Sequence, residues 1–193
     1  MSFYLIGDTH DTKVLNRILS SIPDGEEVLS VGDNGIGFPG YEQEVFKEGF
    51  RFLQGNHDNP VSCDEHPQFL GRYGIDWIGG KKIMYISGAL SVDKDDRVSG
   101  VSWWKREELD WAEGNAVVDL ARSINRRDII IVSHDCPMSV SGFYSHTGKL
   151  LDVVLDIVRP SRWYYGHHHK SSTTEVYGTL LRCLGVEEVV LVI

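Results

Sequence analysis

Five times along this sequence an apolar run breaks off into a glycine or serine followed by carboxylates, amides or imidazoles. Phe3-Tyr4-Leu5-Ile6 leads into Gly7-Asp8-Thr9-His10, Glu27 to Val31 into Gly32-Asp33-Asn34, and Phe50 to Leu53 into Gly55-Asn56-His57-Asp58. Asp128 to Val132 leads into Ser133-His134-Asp135, and Trp163-Tyr164-Tyr165 into Gly166-His167-His168-His169. A short continuous apolar run bounded by a turn is the pattern of a buried strand. Between such runs, Val14, Leu15, Ile18 and Leu19 recur at helical spacing within Lys13 to Ser21, and a second helix is predicted from Lys149 to Val158, stopped by Pro160. Strands that alternate with helices build an α/β sheet, whose ligands lie beyond the carboxyl ends of the strands. All five polar turns fall there.

The intervening segments are less regular. A short helix is expected from about Tyr41 to Glu48, short strands at Trp77-Ile78 and Ile83 to Ile86, and a helix from Arg106 to Ile124 that Gly114-Asn115 can break. The glycine- and aspartate-rich stretch Ser87 to Gly100 reads as an excursion over the site, and the tail from Thr173 to Ile193 as an antiparallel meander. At 193 residues, 41% hydrophobic and 24% charged, the chain is expected to form one domain spanning 1–193. No run approaches the roughly 20 apolar residues of a membrane span, no basic leader precedes the first strand, and Cys63, Cys136 and Cys183 form no paired framework. A reducing cytoplasm is the expected compartment, the host's if the gene is a phage's. The net charge of −9 argues against an extended nucleic-acid platform unless bound cations supply the attraction.

The turn residues Asp8, His10, Asp33, Asn56, His57, His134, His167 and His169 mix neutral imidazoles, carboxylates and one amide oxygen. That donor set suits first-row divalent ions and not a calcium cage. Asp-x-His and His-x-His put both heads of each pair on one side of an extended segment. Eight such groups exceed what one ion takes from protein, so two metals sharing a bridging carboxylate are the economical assignment. Such a pair can bind a phosphoryl oxygen and activate a water for in-line attack. His57 is suited to protonate the leaving alkoxide and Asp58 to orient it.

With these motifs in this order, Gly7-Asp8-Thr9-His10, Gly32-Asp33, Gly55-Asn56-His57-Asp58, His134 and Gly166-His167-His168-His169, the chain resembles the calcineurin-like metallophosphoesterases over nearly its whole length. The resemblance implies a four-layer αββα sandwich in which two mixed sheets pack face to face between helices. It also implies that Asp8, His10 and His169 hold one metal, that Asn56, His134 and His167 hold the other, and that Asp33 bridges them. His57 would contact the phosphate and protonate the leaving group, Asp58 would steady its ring, and His168 would point away. The cofactors expected are two divalent ions, manganese first, with iron, zinc or nickel as alternatives.

Where serine/threonine protein phosphatases carry a further Asp-Arg-Gly after Gly-Asp, and Glu after Gly-Asn-His, this chain has Asn34-Gly35-Ile36-Gly37 and Asp58. An arginine that clamps phosphate in those enzymes is therefore missing. The reading shifts toward the compact bacterial and phage phosphodiesterase-like members, with a nucleotide-like phosphodiester hydrolysed by metal-activated hydroxide. Phosphomonoester or protein-phosphatase action, nuclease action on short ends, and a non-catalytic metal-binding scaffold on the same fold are the alternatives. Arg97 and His146 are candidate substrate contacts, each set against a plain surface role. Trp103 and Trp104 can stack a base or fill a core, and Cys136 reads as a small buried residue beside the site.

Overall fold

The computed structural model describes residues 2–40, 45–124 and 129–193. Strands β1 (Phe3–Ile6), β2 (Val28–Ser30) and β3 (Phe50–Phe52) run parallel, with helix α1 (Thr12–Ser21) between the first two and α2 (Pro60–Glu65) after the third. The hairpin β4 (Tyr73–Ile78) and β5 (Lys81–Ile86) opens a second sheet, continued by α3 (Trp111–Ser123), β6 (Ile130–Ser133), α4 (Met138–Ser141), α5 (His146–Val158) and β7 (Arg162–Tyr165). The chain closes with β8 (Ser172–Val176), β9 (Thr179–Cys183) and β10 (Val189–Val192). Among the described residues the strand orders are β10-β1-β2-β3 and β4-β5-β6-β7-β9-β8. The larger sheet has a parallel centre and antiparallel pairing at both edges, while the smaller is parallel except where β10 pairs with β1.

Side-chain alternation builds the layers. Phe3 and Leu5 meet Ile83, Tyr85, Val132 and Tyr164 between the sheets, while Tyr4 and Ile6, on the opposite face, pack with Leu15 and Leu19 of α1. On the far side of the larger sheet, Met84, Ile86 and Ile131 pack on Val117 and Ala121 of α3 and Leu151, Val154 and Val158 of α5. The result is helix, sheet, sheet, helix, the sandwich expected. No helix among the described residues is long and apolar enough to cross a membrane.

Three expectations need correction. The tail is not one meander: β8 and β9 form a hairpin in the larger sheet, but β10 crosses to pair with β1, Phe3 opposite Val192. The helix expected at Arg106 starts at Trp111, because Asp110 and Glu113 form a reciprocal capping box there, and Gly114 does not break it. Of the helix expected at 41–48, residues 41–44 lie outside the described residues, and 45–48 form no helix. There Phe46 exchanges backbone hydrogen bonds with the Gln68 amide, in place of a helical ladder.

Candidate metal centre

Parallel strands deliver their ends to one edge of each sheet, and Asp8, Asp33, Asn56, His134 and His167 all follow such ends. The turns are locked to one another by backbone. Thr9 and His10 both donate N–H to the carbonyl of Asp33, His57 N–H donates to Asp33 Oδ1, and His167 N–H donates to Asp8 Oδ2. A Cβ on Gly55 would fall onto the Asp33 carboxylate and one on Gly166 onto that of Asp8, so both positions require glycine. The period-two argument for Asp-x-His and His-x-His does not hold. His10, Asp33, His167 and His169 have φ of 53°, 53°, 64° and 56°, and left-handed turns rather than extended backbone aim their heads.

Two groups of ligand atoms result, Asp8, His10, Asp33 and His169 in one and Asp33, His134 and His167 in the other, with Asp33 common to both. Donors bound to one ion at about 2.0–2.2 Å stand about 2.8–3.6 Å apart. The separations here match: His10 Nε2 to His169 Nε2 is 2.9 Å, His169 Nε2 to Asp8 Oδ2 3.4 Å, and His134 Nε2 to Asp33 Oδ1 3.4 Å. Asn56 Oδ1 lies 3.1 Å from His134 Nε2, which places the amide in the second group. Its orientation is fixed from behind, since Asn56 Nδ2 donates to Ser91 Oγ and Ser91 Oγ donates to Glu107. His134 Nδ1 faces the Val31 carbonyl at 2.9 Å, which holds one proton there and turns Nε2 toward Asp33 and Asn56, where an ion could displace its second proton.

The charges call for cations. Asp8 Oδ1 and Asp33 Oδ2 are buried and meet no hydrogen-bond donor among the described residues, a costly arrangement unless an ion takes them. Burial, then the neighbouring Asp33 charge, pushes the carboxyls of Asp8 and Asp58 up, to about 8 and about 6, with His134 partly offsetting the rise at Asp8. Burial also acts to raise Asp33, but the charge and hydrogen bond of His134 outweigh it and hold Asp33 ionised. The same pairing raises His134 against the pull of its own burial. His10 and His167 are pushed down to about 4 by burial, so both are neutral donors at pH 7. A third cluster, Asp135, Cys136 and His168, differs. Asp135 accepts from Cys136 N–H, from His168 Nε2 at 3.2 Å and from Ser145 Oγ, leaving no orphaned oxygen. Burial pushes the Cys136 thiol well up, so it stays protonated. This cluster satisfies itself.

The other candidates separate. The His57 ring borders a cleft of about 420 Å³ with Asp33, Asn56, His167, His169 and Arg97. Arg97 Nη2 lies 2.6 Å from His57 Nε2 and 2.7 Å from Asp93 Oδ1. A guanidinium only donates, so Nε2 accepts and the imidazole carries its proton on Nδ1. Asp58 does not reach that ring. Its Oδ1 accepts from the N–H groups of Asn34 and Ile36 and its Oδ2 from that of Gly55, which ties the second turn to the third. His146 is also misplaced as a substrate contact, because it lies in a separate cavity between α3 and α5 against Trp111, ring centroids 4.3 Å apart. Trp104 is buried beside Phe38, and neither Trp103 nor Trp104 lines the cleft. The sequence reading missed Ser91 and Glu107 behind Asn56, and Phe143 and Tyr144 on the cleft. The one signal for them was the aromatic pair directly after Gly142.

No curated protein matches the chain. Its fold is similar to that of the phosphopantetheinyl hydrolase from Mycobacterium tuberculosis, at TM-score 0.58 and 13% identity, covering 96% of this chain and 90% of that one. It is likewise similar to the TT1561 protein of Thermus thermophilus, at TM-score 0.57 and 10% identity with the same coverage, 96% and 90%. A putative 5'-nucleotidase from Staphylococcus aureus matches at TM-score 0.54 and 14% identity, over 98% of this chain and 50% of that one. At such identities the likeness establishes the fold. The model of the family described as calcineurin-like phosphoesterase matches residues 1–171, a span that contains all five turns. The chain belongs to the calcineurin-like phosphoesterase family and is a metal-dependent phosphoric ester hydrolase.

Proposed function

We propose that the protein, acting as one domain over residues 1–193, hydrolyses a small nucleotide-like phosphodiester at a binuclear centre. The observation that carries this reading is the sharing of Asp33 by two donor clusters in which the buried carboxylates of Asp8 and Asp33 each keep one oxygen without a hydrogen-bond donor among the described residues. Asp8, His10, Asp33 and His169 hold one divalent ion, and Asp33, Asn56, His134 and His167 the other. The donor set, nitrogen and oxygen without thiolate, supports manganese, with iron, zinc or nickel also accommodated. Such a pair supplies Lewis acidity and water acidified to near neutrality.

The chain's own residues do the rest. Arg97 leaves Asp93 and His57 for the substrate phosphate, whose charge and geometry match the guanidinium better than a neutral imidazole does. His57, freed at Nε2, takes up a proton from solvent there once the substrate phosphate's negative charge stands between it and the guanidinium, and gives that proton to the departing alkoxide. Asp58 acts only by fixing the turn that carries Asn56 and His57. The absence of an arginine in the Asn34-Gly35-Ile36-Gly37 turn supports a small diester over a protein phosphatase. The −9 net charge counts against long polyanions, and the free, buried cysteines support a reducing, cytoplasmic setting.

The test is metal-stripped protein resupplied with manganese and assayed on bis-p-nitrophenyl phosphate and p-nitrophenyl phosphate. Diester turnover exceeding monoester turnover, and lost in His57→Ala at unchanged metal content, is expected. Bound metal without turnover of either ester would favour the scaffold reading.

A further inference from the structure

The cleft beside His57 carries an apolar rim that the hydrolytic chemistry does not use. Phe143 and Tyr144, in the loop between α4 and α5, are 65% and 71% exposed, and Val92, in the segment after β5, is 77% exposed. All three line the same cleft as Asp33, His57 and Arg97. The aromatic pair is fixed in place. It leaves α4 through Gly142 (φ 74°), Phe143 N–H donates to Ser141 Oγ, Lys149 Nζ sits 4.5 Å from the Tyr144 ring centre, and Ser145 caps α5.

Two exposed aromatic side chains held on a short loop expose apolar surface to water without adding to any core cluster. Their position says what covers them. The rim is continuous with the place where phosphorus must sit, so its occupant is the group esterified to that phosphorus. Aromatic faces gain most from another flat ring, stacked or edge-on, and a small alkyl group would leave them wet. We propose that Phe143, Tyr144 and Val92 form a specificity rim that recognises a planar aromatic group, a nucleobase or an aryl ring, on the substrate phosphoester. This rests on the hydrolytic reading only for where the phosphate lies.

The test is calorimetric binding of methyl phosphate, phenyl phosphate and a nucleoside 5'-monophosphate to manganese-loaded protein. The aromatic ligands are expected to bind about 5- to 100-fold more tightly than methyl phosphate, the range of one stacked base. Phe143→Ala with Tyr144→Ala should reduce that preference toward unity, and Phe143→Leu should retain part of it. Trp77→Ala, in a separate cavity with Lys82 and Arg162, should retain all of it. Phenyl phosphate and nucleotide binding alike assigns an aryl-reading rim, and tighter nucleotide binding assigns a base-reading one. Methyl phosphate binding as tightly as the aromatic ligands overturns the proposal, as does an undiminished preference in a double variant with native thermal melting. If the preference stands but no ester is hydrolysed, the hydrolytic reading falls and the rim survives. Turnover without preference removes the rim alone.

Discussion

The floor and the rim of the cleft are built in opposite ways. On the floor, Asp8, Asp33 and His134 are wholly buried, and four site residues adopt the left-handed conformation that ordinary side chains avoid. Such strain costs on the order of 1 kcal/mol or more per residue and persists only where surroundings dictate it. Here the dictating contacts are backbone hydrogen bonds between turns. On the rim, Arg97 follows a single 3-10 turn, Lys94–Asp96, and Phe143 and Tyr144 occupy a short loop. Rigid strand ends suit ions that tolerate little error in donor position, whereas loops can vary with the substrate.

Asp33→Asn should break the floor most severely. Metal content and turnover are expected to fall by more than about the hundredfold seen when an outer-shell partner is lost. Elemental analysis beside activity checks this, and unchanged metal content would remove Asp33 from its shared role. Asp58→Ala should act on folding, since it strands three backbone N–H groups. A loss of about 3 kcal/mol or more is expected in denaturant melts. A pure change in the pH profile of kcat, with stability intact, would return Asp58 to the His57 ring.

On the rim side, Arg97→Ala should raise KM for a phosphoester about tenfold, the scale of one charge-assisted hydrogen bond, at unchanged metal content and melting temperature. Arg97→Lys should recover only part. If Arg97→Ala instead strips metal, the line between floor and rim is drawn in the wrong place.

Two smaller effects sharpen the comparison. Asp8 holds its proton up to about pH 8, so metal affinity should weaken by as much as about tenfold per unit as pH falls below that value, with proton release on calorimetric titration. A carboxyl raised on folding stabilises at low pH and loses that contribution as pH rises through its folded value. Metal-free protein should therefore lose stability as pH rises toward about 8, above the range in which His10 and His167 change charge. Ser91→Ala, which releases the Asn56 amide, should weaken manganese binding about tenfold and leave the rim's ligand preference alone.

The same division governs what could be read from residues alone. Asp8, His10, Asp33, Asn56, His134, His167 and His169 are legible because strand ends confine unlike ligands to short motifs, and the structure brings these residues together. The reason first given for the paired motifs was nevertheless wrong, since left-handed backbone at His10, His167 and His169 replaces extended alternation. Asp58 and His146 show that adjacency in sequence says little about reach. A carboxylate after a histidine can turn back to backbone amides, and a histidine on a helix's first turn can face a different cavity. Ser91, Glu107, Phe143 and Tyr144 lie in segments without period, where no local pattern announces a partner. The crossing of β10 to β1 is a long-range pairing for which the tail carries no local signal.

The most direct test is manganese loading to saturation followed by metal counting and electron paramagnetic resonance on the same sample. Two ions per chain with the spectrum of a spin-coupled pair, collapsing to uncoupled or absent signal in Asp33→Asn, is the predicted result. One ion per chain, or two that ignore each other magnetically, would contradict the shared-carboxylate centre.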